Sequence, residues 1–509
     1  MKSSTRIIVN TGVQYFRSII SIIVTLYTAR LVLLALGVDD FGIYSLVGGV
    51  ISLLSFIQNS LARAIQRFLS YFQGKEDDDS IFKVFNNSII TQLFISILLI
   101  IILFSLTEPI FDRLIKISSE RENAAKIVYW VMIGSLFFQS ISTPYLAVLI
   151  ARENIVYSSI VQIIDAFIKI PVALSLYWIG AERLIWYSIM IMGLSIINFL
   201  FYYIYTTRKY WECQNFSLKS FNWRLTKEML SFMSFTIYGT FCVATRQQGL
   251  AVILNRFYST AINTAYGISN QIIGQLSFLC VAISTAVTPQ IVKSEGKGDR
   301  QRMFRLAEIS AKFSLLLLTM ILVPVYFYLD FLLKIWLSDV PDYTIMFCHF
   351  TIIISILDWT TQPLNSVNGA VGNVKKYTLL VYSLALLVIP FAYIVLRLGY
   401  GAYGAMMTYV IIVALTSVSR LEFLHYDINL SIKQYLRHVF FRSIPVITIN
   451  CAVCYIFRSY LQGWWCIAAI ILSILITVIL TLIIGLEKDE KQIIKPWIIR
   501  TIRLLLSKK

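Results

Sequence analysis

Charged residues are scarce in this chain: Asp, Glu, Lys and Arg supply 14% of its 509 residues, while hydrophobic types supply 58%. That balance leaves too little polar surface for a water-soluble protein of this size. Histidine is reduced to His349, His425 and His438, with no ligand spacing among them. The seven cysteines lie mostly inside apolar runs. Cys451 and Cys454 form a C-x-x-C without a second pair, which reads as small buried hydrophobes rather than a redox or metal site. P-loop, H-E-x-x-H and G-x-S-x-G patterns are all missing, so a primary pump or hydrolase is unsupported. No catalytic residue, cofactor or metal is expected. The opening Met1-Lys2-Ser3-Ser4-Thr5-Arg6 runs into a hydrophobic stretch too long for a signal-peptide core, with no small-residue cleavage site. Long polar connectors are also lacking: none exceeds about 22 residues, which leaves no room for a soluble domain.

What remains is apolar sequence. A spanning helix needs about 20 apolar residues, and about fourteen stretches qualify. They are 10–36, 41–70, 84–106, 124–150, 155–178, 184–206, 229–254, 262–290, 306–329, 344–371, 376–397, 402–424, 439–459 and 464–486. Ile, Leu and Val run continuously instead of alternating with polar residues, so these are helices and not barrel strands. The fold class is an all-α polytopic membrane protein. With the N-terminus inside, inner connectors carry about 27 basic residues, Arg208, Lys209, Arg224, Arg300 and Arg420 among them, against about eight outside. Both termini are therefore expected in the cytoplasm. The net charge of +17 is a topology signal, and nucleic acid is not an expected partner.

The chain also repeats itself. Tyr44, Leu54-Ser55-Phe56, Ala64, Gly74-Lys75, Asp77 and Phe82 recur 222 residues later as Tyr266, Leu276-Ser277-Phe278, Ala286, Gly296-Lys297, Asp299 and Phe304. Pro144, Ala151, Asn154, Pro171 and Gly180 recur 219 residues later as Pro363, Ala370, Asn373, Pro390 and Gly399. Each copy holds an even number of spans, so the repeats are parallel and related about the membrane normal, an arrangement typical of transporters. The expected organisation is a six-helix bundle over 1–206, a cytoplasmic linker over 207–228, a second bundle over 229–424, and two extra helices with a basic tail over 425–509. The extra helices should pack on the outside. Pro144 with Pro363, and Pro171 with Pro390, are expected to break their helices at equivalent depths.

Charges inside spans are costly unless they meet a partner or water, so they hold most of the functional information. In the first span Asn10, Gln14, Arg17, Ser21, Thr25 and Thr28 recur at steps of three or four, a polar stripe on one face. Asn59, Arg63, Gln66, Arg67 and Ser70 do the same in the second span. The seventh adds Arg246, with Gly239, Cys242 and Gly249 on its face, and the eighth adds Asn270. These spans match in pairs between the two copies, so their polar faces are expected to converge on one central cavity. At a step of 222, Arg17 corresponds to Gly239, Arg63 to Thr285 and Arg246 to Val24: the halves differ in where they place positive charge. Planar guanidinium forks suit a phosphate or diphosphate. Arg17, Arg63, Arg246, Gln14, Asn59, Gln66 and Asn270 are therefore the candidate substrate-binding residues, with Arg67 a candidate for snorkelling. Arg30 should pair with Asp39 or Asp40. Asp165 and Lys169 stand i,i+4 and can neutralise each other. Asp358 has no basic neighbour within one turn, which makes it the better candidate for ion coupling. The run Glu76-Asp77-Asp78-Asp79 reads as a solvated cluster.

Arg30-Leu31 followed by Leu36-Gly37-Val38-Asp39-Asp40-Phe41-Gly42-Ile43-Tyr44-Ser45-Leu46 resembles the junction of the first two helices in Wzx-type polysaccharide flippases. These belong to the multidrug/oligosaccharidyl-lipid/polysaccharide (MOP) exporter superfamily. Twelve helices in two parallel repeats plus two more are similar to that branch. The resemblance implies a non-enzymatic, alternating-access flippase in the bacterial inner membrane. It implies as substrate an undecaprenyl-diphosphate-linked oligosaccharide for O-antigen, capsule or exopolysaccharide assembly. Membrane lipids, a polysaccharide polymerase and chain-length machinery are the partners that go with it. Arg17, Arg63 and Arg246 occupy helices comparable to those that line the cavity in related flippases. Two alternatives stay open. A multidrug extruder should carry a carboxylate-bearing cavity for cationic drugs, and a membrane-embedded polymerase or glycosyltransferase should carry a large loop with catalytic carboxylates.

Overall fold

A computed structural model describes residues 3–491, apart from 53–54, 112–118, 181, 218–219, 259, 338–339, 462 and 488–489. Among the described residues it is helical throughout, without strands. Twelve of its helices are long and apolar enough to cross a membrane. The second and seventh expected spans are also helices, Ser55–Lys75 and Trp223–Phe257, of 21 and 35 residues. They are long enough to span, and their polar residues are what lower their hydropathy. The expected junction between the first two spans falls at Gly37, the one non-helical residue within Ser3–Ser52, at φ 81 and ψ 172. A side chain is strained at that φ, so glycine is required there.

The chain divides into two compact units, residues 8–237 and residues 238–509 with 1–7. In the first, Ser119–Ala151 is the central helix and packs on Arg183–Lys209, Ser55–Lys75 and Asp78–Ser105. Leu61, Leu69, Phe85, Val148, Leu149 and Met229 form its buried core. The connector after Lys209 docks on this unit. The Asn86 carboxamide accepts from the Ser217 amide at 2.8 Å, and Asn87 accepts from the Asn222 amide and the Thr226 hydroxyl, both at 2.9 Å. Arg152 donates to the fully buried Glu212 at 2.8 Å.

In the second unit Arg300–Phe327 is the hub, packed on Thr260–Gly296, Thr344–Trp359 and the extra helix Ser443–Tyr460. Two thirds of its apolar window (67%) is buried, against 33% for its repeat counterpart Asp78–Ser105, because the extra helices cover it. Ionic contacts fix them at one end. Lys312 meets Glu490 at 2.6 Å, Arg305 meets Glu487 at 2.5 Å, and His438 meets Glu308 at 2.6 Å. Burial alone would raise the Glu487 carboxyl, but the Arg305 hydrogen bond and the charges of Lys312, Arg305 and His438 outweigh it and hold the group below its ordinary value.

The repeat survives in backbone geometry. Asp77 and Asp299 both cap the helix that follows, accepting from the amides of Ser80 and Arg302 at 3.0 Å. Within the acidic run Asp77 is therefore a cap as well as a solvated charge, and hydrogen bonds from the Ser80 hydroxyl, at 2.6 Å, and the Ser80 amide hold its carboxyl low. Asn154 and Asn373 likewise precede Ile155–Ser175 and Val374–Tyr377. Left-handed residues recur too: Glu76 with Gly298 at the step of 222, and Glu153 with Gly372 and Glu182 with Gly401 at the step of 219. A left-handed non-glycine costs roughly 1–2 kcal/mol. Glu182 offers only an exposed ion pair to Arg121 in return, at 3.4 Å. Glu182→Gly should therefore raise stability by about 1 kcal/mol, read as a higher unfolding midpoint in detergent.

Equivalent prolines do not act alike. Pro144 lies within the unbroken helix Ser119–Ala151, and Pro171 within Ile155–Ser175, so the expected breaks in the first copy are absent. At Pro363 the helix does break. Between Thr344–Trp359 and Leu364–Val371 the ladder tightens to three-residue steps, with Leu364 N to Thr361 O at 3.0 Å. Pro390 lies inside Val388–Arg397, just past another interruption at Leu387.

Candidate substrate site

The stripe of the first span is partly built in. Asn10 is buried and donates to the Glu153 carbonyl at 2.9 Å, and Gln14 is buried. Arg17 is half-buried and bonds Gln162 on Ile155–Ser175, while its Nε has no hydrogen-bond partner. On Ser55–Lys75, Asn59 and Arg63 are exposed and Gln66 is half-buried. Arg67 lies against rings, 4.6 Å from Phe68, 5.2 Å from Tyr71 and 5.6 Å from Phe232, a cation–π seat. Arg30 is exposed, and its expected partner Asp40 instead meets Arg121 at 3.2 Å; the Asp39 side chain lies outside the described residues. Arg121 enters from a helix that sequence spacing does not bring near.

Asp165 and Lys169 do pair, at 2.7 Å, and Asn198 donates to the other Asp165 oxygen at 2.7 Å. The carboxylate is fully engaged.

In the second unit the face of the helix Trp223–Phe257 that carries Arg246 is a packing face. A Cβ at Gly239 would stand 3.3 Å from Tyr382, and one at Gly249 only 2.6 Å from Ile389, while Cys242 is fully buried. Small residues let Val374–Arg397 approach, and Arg246 goes in with them. It is 6% exposed, its guanidinium 5.0 Å above the Tyr409 ring, with Nε unpartnered. Asn270 donates to the Tyr266 carbonyl at 3.0 Å, which ties its amide to its own helix.

Asp358 is not a lone carboxylate. Arg420, 4% exposed, donates to its side chain at 2.7 Å and reaches its carbonyl at 3.3 Å and the Thr361 hydroxyl at 3.2 Å. Tyr435 donates to the Thr360 carbonyl at 2.7 Å. Arg420 and Tyr435 thus serve the backbone groups loosened before Pro363. Arg420 lies inside the helix Gly401–Ile428 rather than in a connector, within the apolar run 402–424.

Asp165 and Asp358 each hold a basic partner, and the buried Glu308 meets Arg305 and His438. Arg17, Arg63 and Arg246 make no ion pair among the described residues. No group of three or more His, Cys, Asp or Glu gathers to hold a metal, again among the described residues.

The MatE family model matches residues 12–174. A mutant of the Vibrio cholerae MATE transporter VcmN matches with a TM-score of 0.72 at 14% identity, over 84% of this chain and 98% of that one. The fold is that of MATE transporters. A MOP superfamily transporter from Pyrococcus furiosus agrees with a TM-score of 0.71 at 12% identity, over 86% of this chain and 97% of its own. A MATE point mutant gives 0.72 at 11%, over 83% and 95%. No curated protein matches the sequence. Identities this low carry the MATE fold alone.

Proposed function

We propose that this MATE-fold chain is an alternating-access flippase for an undecaprenyl-diphosphate-linked oligosaccharide, serving O-antigen, capsule or exopolysaccharide assembly in the bacterial inner membrane. One observation carries the reading: Asp165 and Asp358 are each held by a basic side chain at 2.7 Å, while Arg17, Arg63 and Arg246 form no ion pair among the described residues. Guanidinium without an ion pair at membrane depth favours an anionic ligand, and a diphosphate accepts its paired donors. The lipid tail stays in the bilayer while the sugars take polar contacts such as Asn59, Gln66 and Asn270. A polysaccharide polymerase and chain-length machinery would receive the product. The Pyrococcus furiosus relative is described as having a binding pocket of reverse polarity that suggests a different function, a departure this cationic set parallels. A multidrug antiporter would need a free carboxylate for its cationic drugs, and neither Asp165 nor Asp358 offers one.

The test is ligand-induced thermal stabilisation of the purified protein. Undecaprenyl diphosphate should stabilise it more than undecaprenyl monophosphate does, and Arg63→Ala should weaken diphosphate binding by roughly tenfold, the loss of one charge-assisted contact. Stabilisation by a lipophilic cation alone would overturn the proposal in favour of drug extrusion.

A further inference from the structure

A groove of about 740 Å³ runs along the second unit between Val374–Arg397 and Gly401–Ile428. Its lining divides by depth. Lys376 lies near the start of one helix, and Glu422 and Asp427 near the end of its antiparallel neighbour, so all three stand at the same membrane face. The lysine and arginine bias of the connectors makes that face cytoplasmic. Leu380, Leu384 and Leu387 continue the wall inward. From Lys376 to Leu387 a helical rise gives about 16 Å, enough to seat much of an acyl chain. The five-residue π-helical turn Thr378–Tyr382 falls on this wall, and Leu379 and Leu380 there are 45% and 49% exposed. Such turns are frequent where a helix serves a ligand. Tyr426, 83% exposed, stands at the mouth, where an amphipathic ring suits the headgroup level.

Asp427 accepts from the Asn373 amide at 2.7 Å through one oxygen. Lys376 and Glu422 make no ion pair among the described residues, although both line the groove. One cation and one anion are thus held apart and uncommitted above an apolar trough. We propose that the groove holds a phosphatidylethanolamine-type lipid, its phosphate on Lys376, its primary ammonium on Glu422 and Asp427, and one chain along the leucines. An anionic lipid such as phosphatidylglycerol would meet two carboxylates and only one lysine, so charge complementarity selects the zwitterion. The site is separate from the arginines and does not depend on the flippase reading.

Native mass spectrometry of the protein released from micelles, after incubation with phosphatidylethanolamine or phosphatidylglycerol of identical chains, tests it. The wild type should retain one phosphatidylethanolamine in preference to phosphatidylglycerol. Glu422→Gln and Lys376→Gln should each lower that retention by about fivefold, one lost charge-assisted contact at a solvated site. Both positions are exposed, so neither substitution threatens folding. Arg224→Gln, at a side chain 91% exposed and outside the groove, should leave retention unchanged. Equal retention by wild type and both groove variants, or preference for phosphatidylglycerol, overturns the assignment.

Discussion

Arg246→Ala should abolish surface polysaccharide while the protein remains in the membrane at wild-type amount. The two halves of that result follow from one geometry. Arg246 is 6% exposed, makes no ion pair among the described residues and stacks over Tyr409 at 5.0 Å with Nε open. No described carboxylate lies within ion-pair distance of it, and Asp358 compensates its charge only from further off, so its removal relieves part of a desolvation penalty even as it leaves space beside the ring. Loss of function with normal insertion would then reflect lost anion recognition. Arg246→Lys keeps the charge but loses the planar fork, so it should fall between the two, with at least about tenfold less polymer than wild type. Wild-type polymer in Arg246→Ala cells would sink the flippase proposal.

Arg420→Ala should act on stability instead, and strongly. It strands the Asp358 carboxylate, removes a donor from the Asp358 carbonyl and leaves the Thr361 hydroxyl without its partner. Arg420 is buried and Asp358 partly so, and breaking a buried pair by removing one member costs up to about 3–5 kcal/mol, against about 1 kcal/mol for an average point substitution. Asp358→Asn together with Arg420→Gln keeps hydrogen-bonding groups without charge and should recover much of the loss. Denaturant or thermal unfolding in detergent reads both. An unchanged midpoint in Arg420→Ala would show that the pair contributes nothing.

The helices, the duplication and the local pair Asp165–Lys169 were legible because each is written in neighbouring residues or in a fixed step along the chain. The candidate arginines were found as residues, but their surroundings were not. Gly239, Cys242 and Gly249 share a face with Arg246, and small residues on one face are the mark of close helix approach. Read that way, the arginine enters its own unit's core. Asp358 took its partner from a helix 62 residues on, a contact that no i,i+4 rule can reach. Pro144 and Pro363 match in sequence and differ in effect, which no local pattern around either proline foretells.

The docking of Ser217, Asn222 and Thr226 on Asn86 and Asn87 bears on how the chain is made. Those hydrogen bonds, with Met229 and Met233 in the same core, mean that the first unit is finished only once residue 237 has left the ribosome. Translation proceeds at roughly 5–20 residues per second. The N-terminal unit, closed at its trailing edge by its own connector, therefore stands as a folded body while the helices of the second unit are still being made, and its stability has to suffice in that interval.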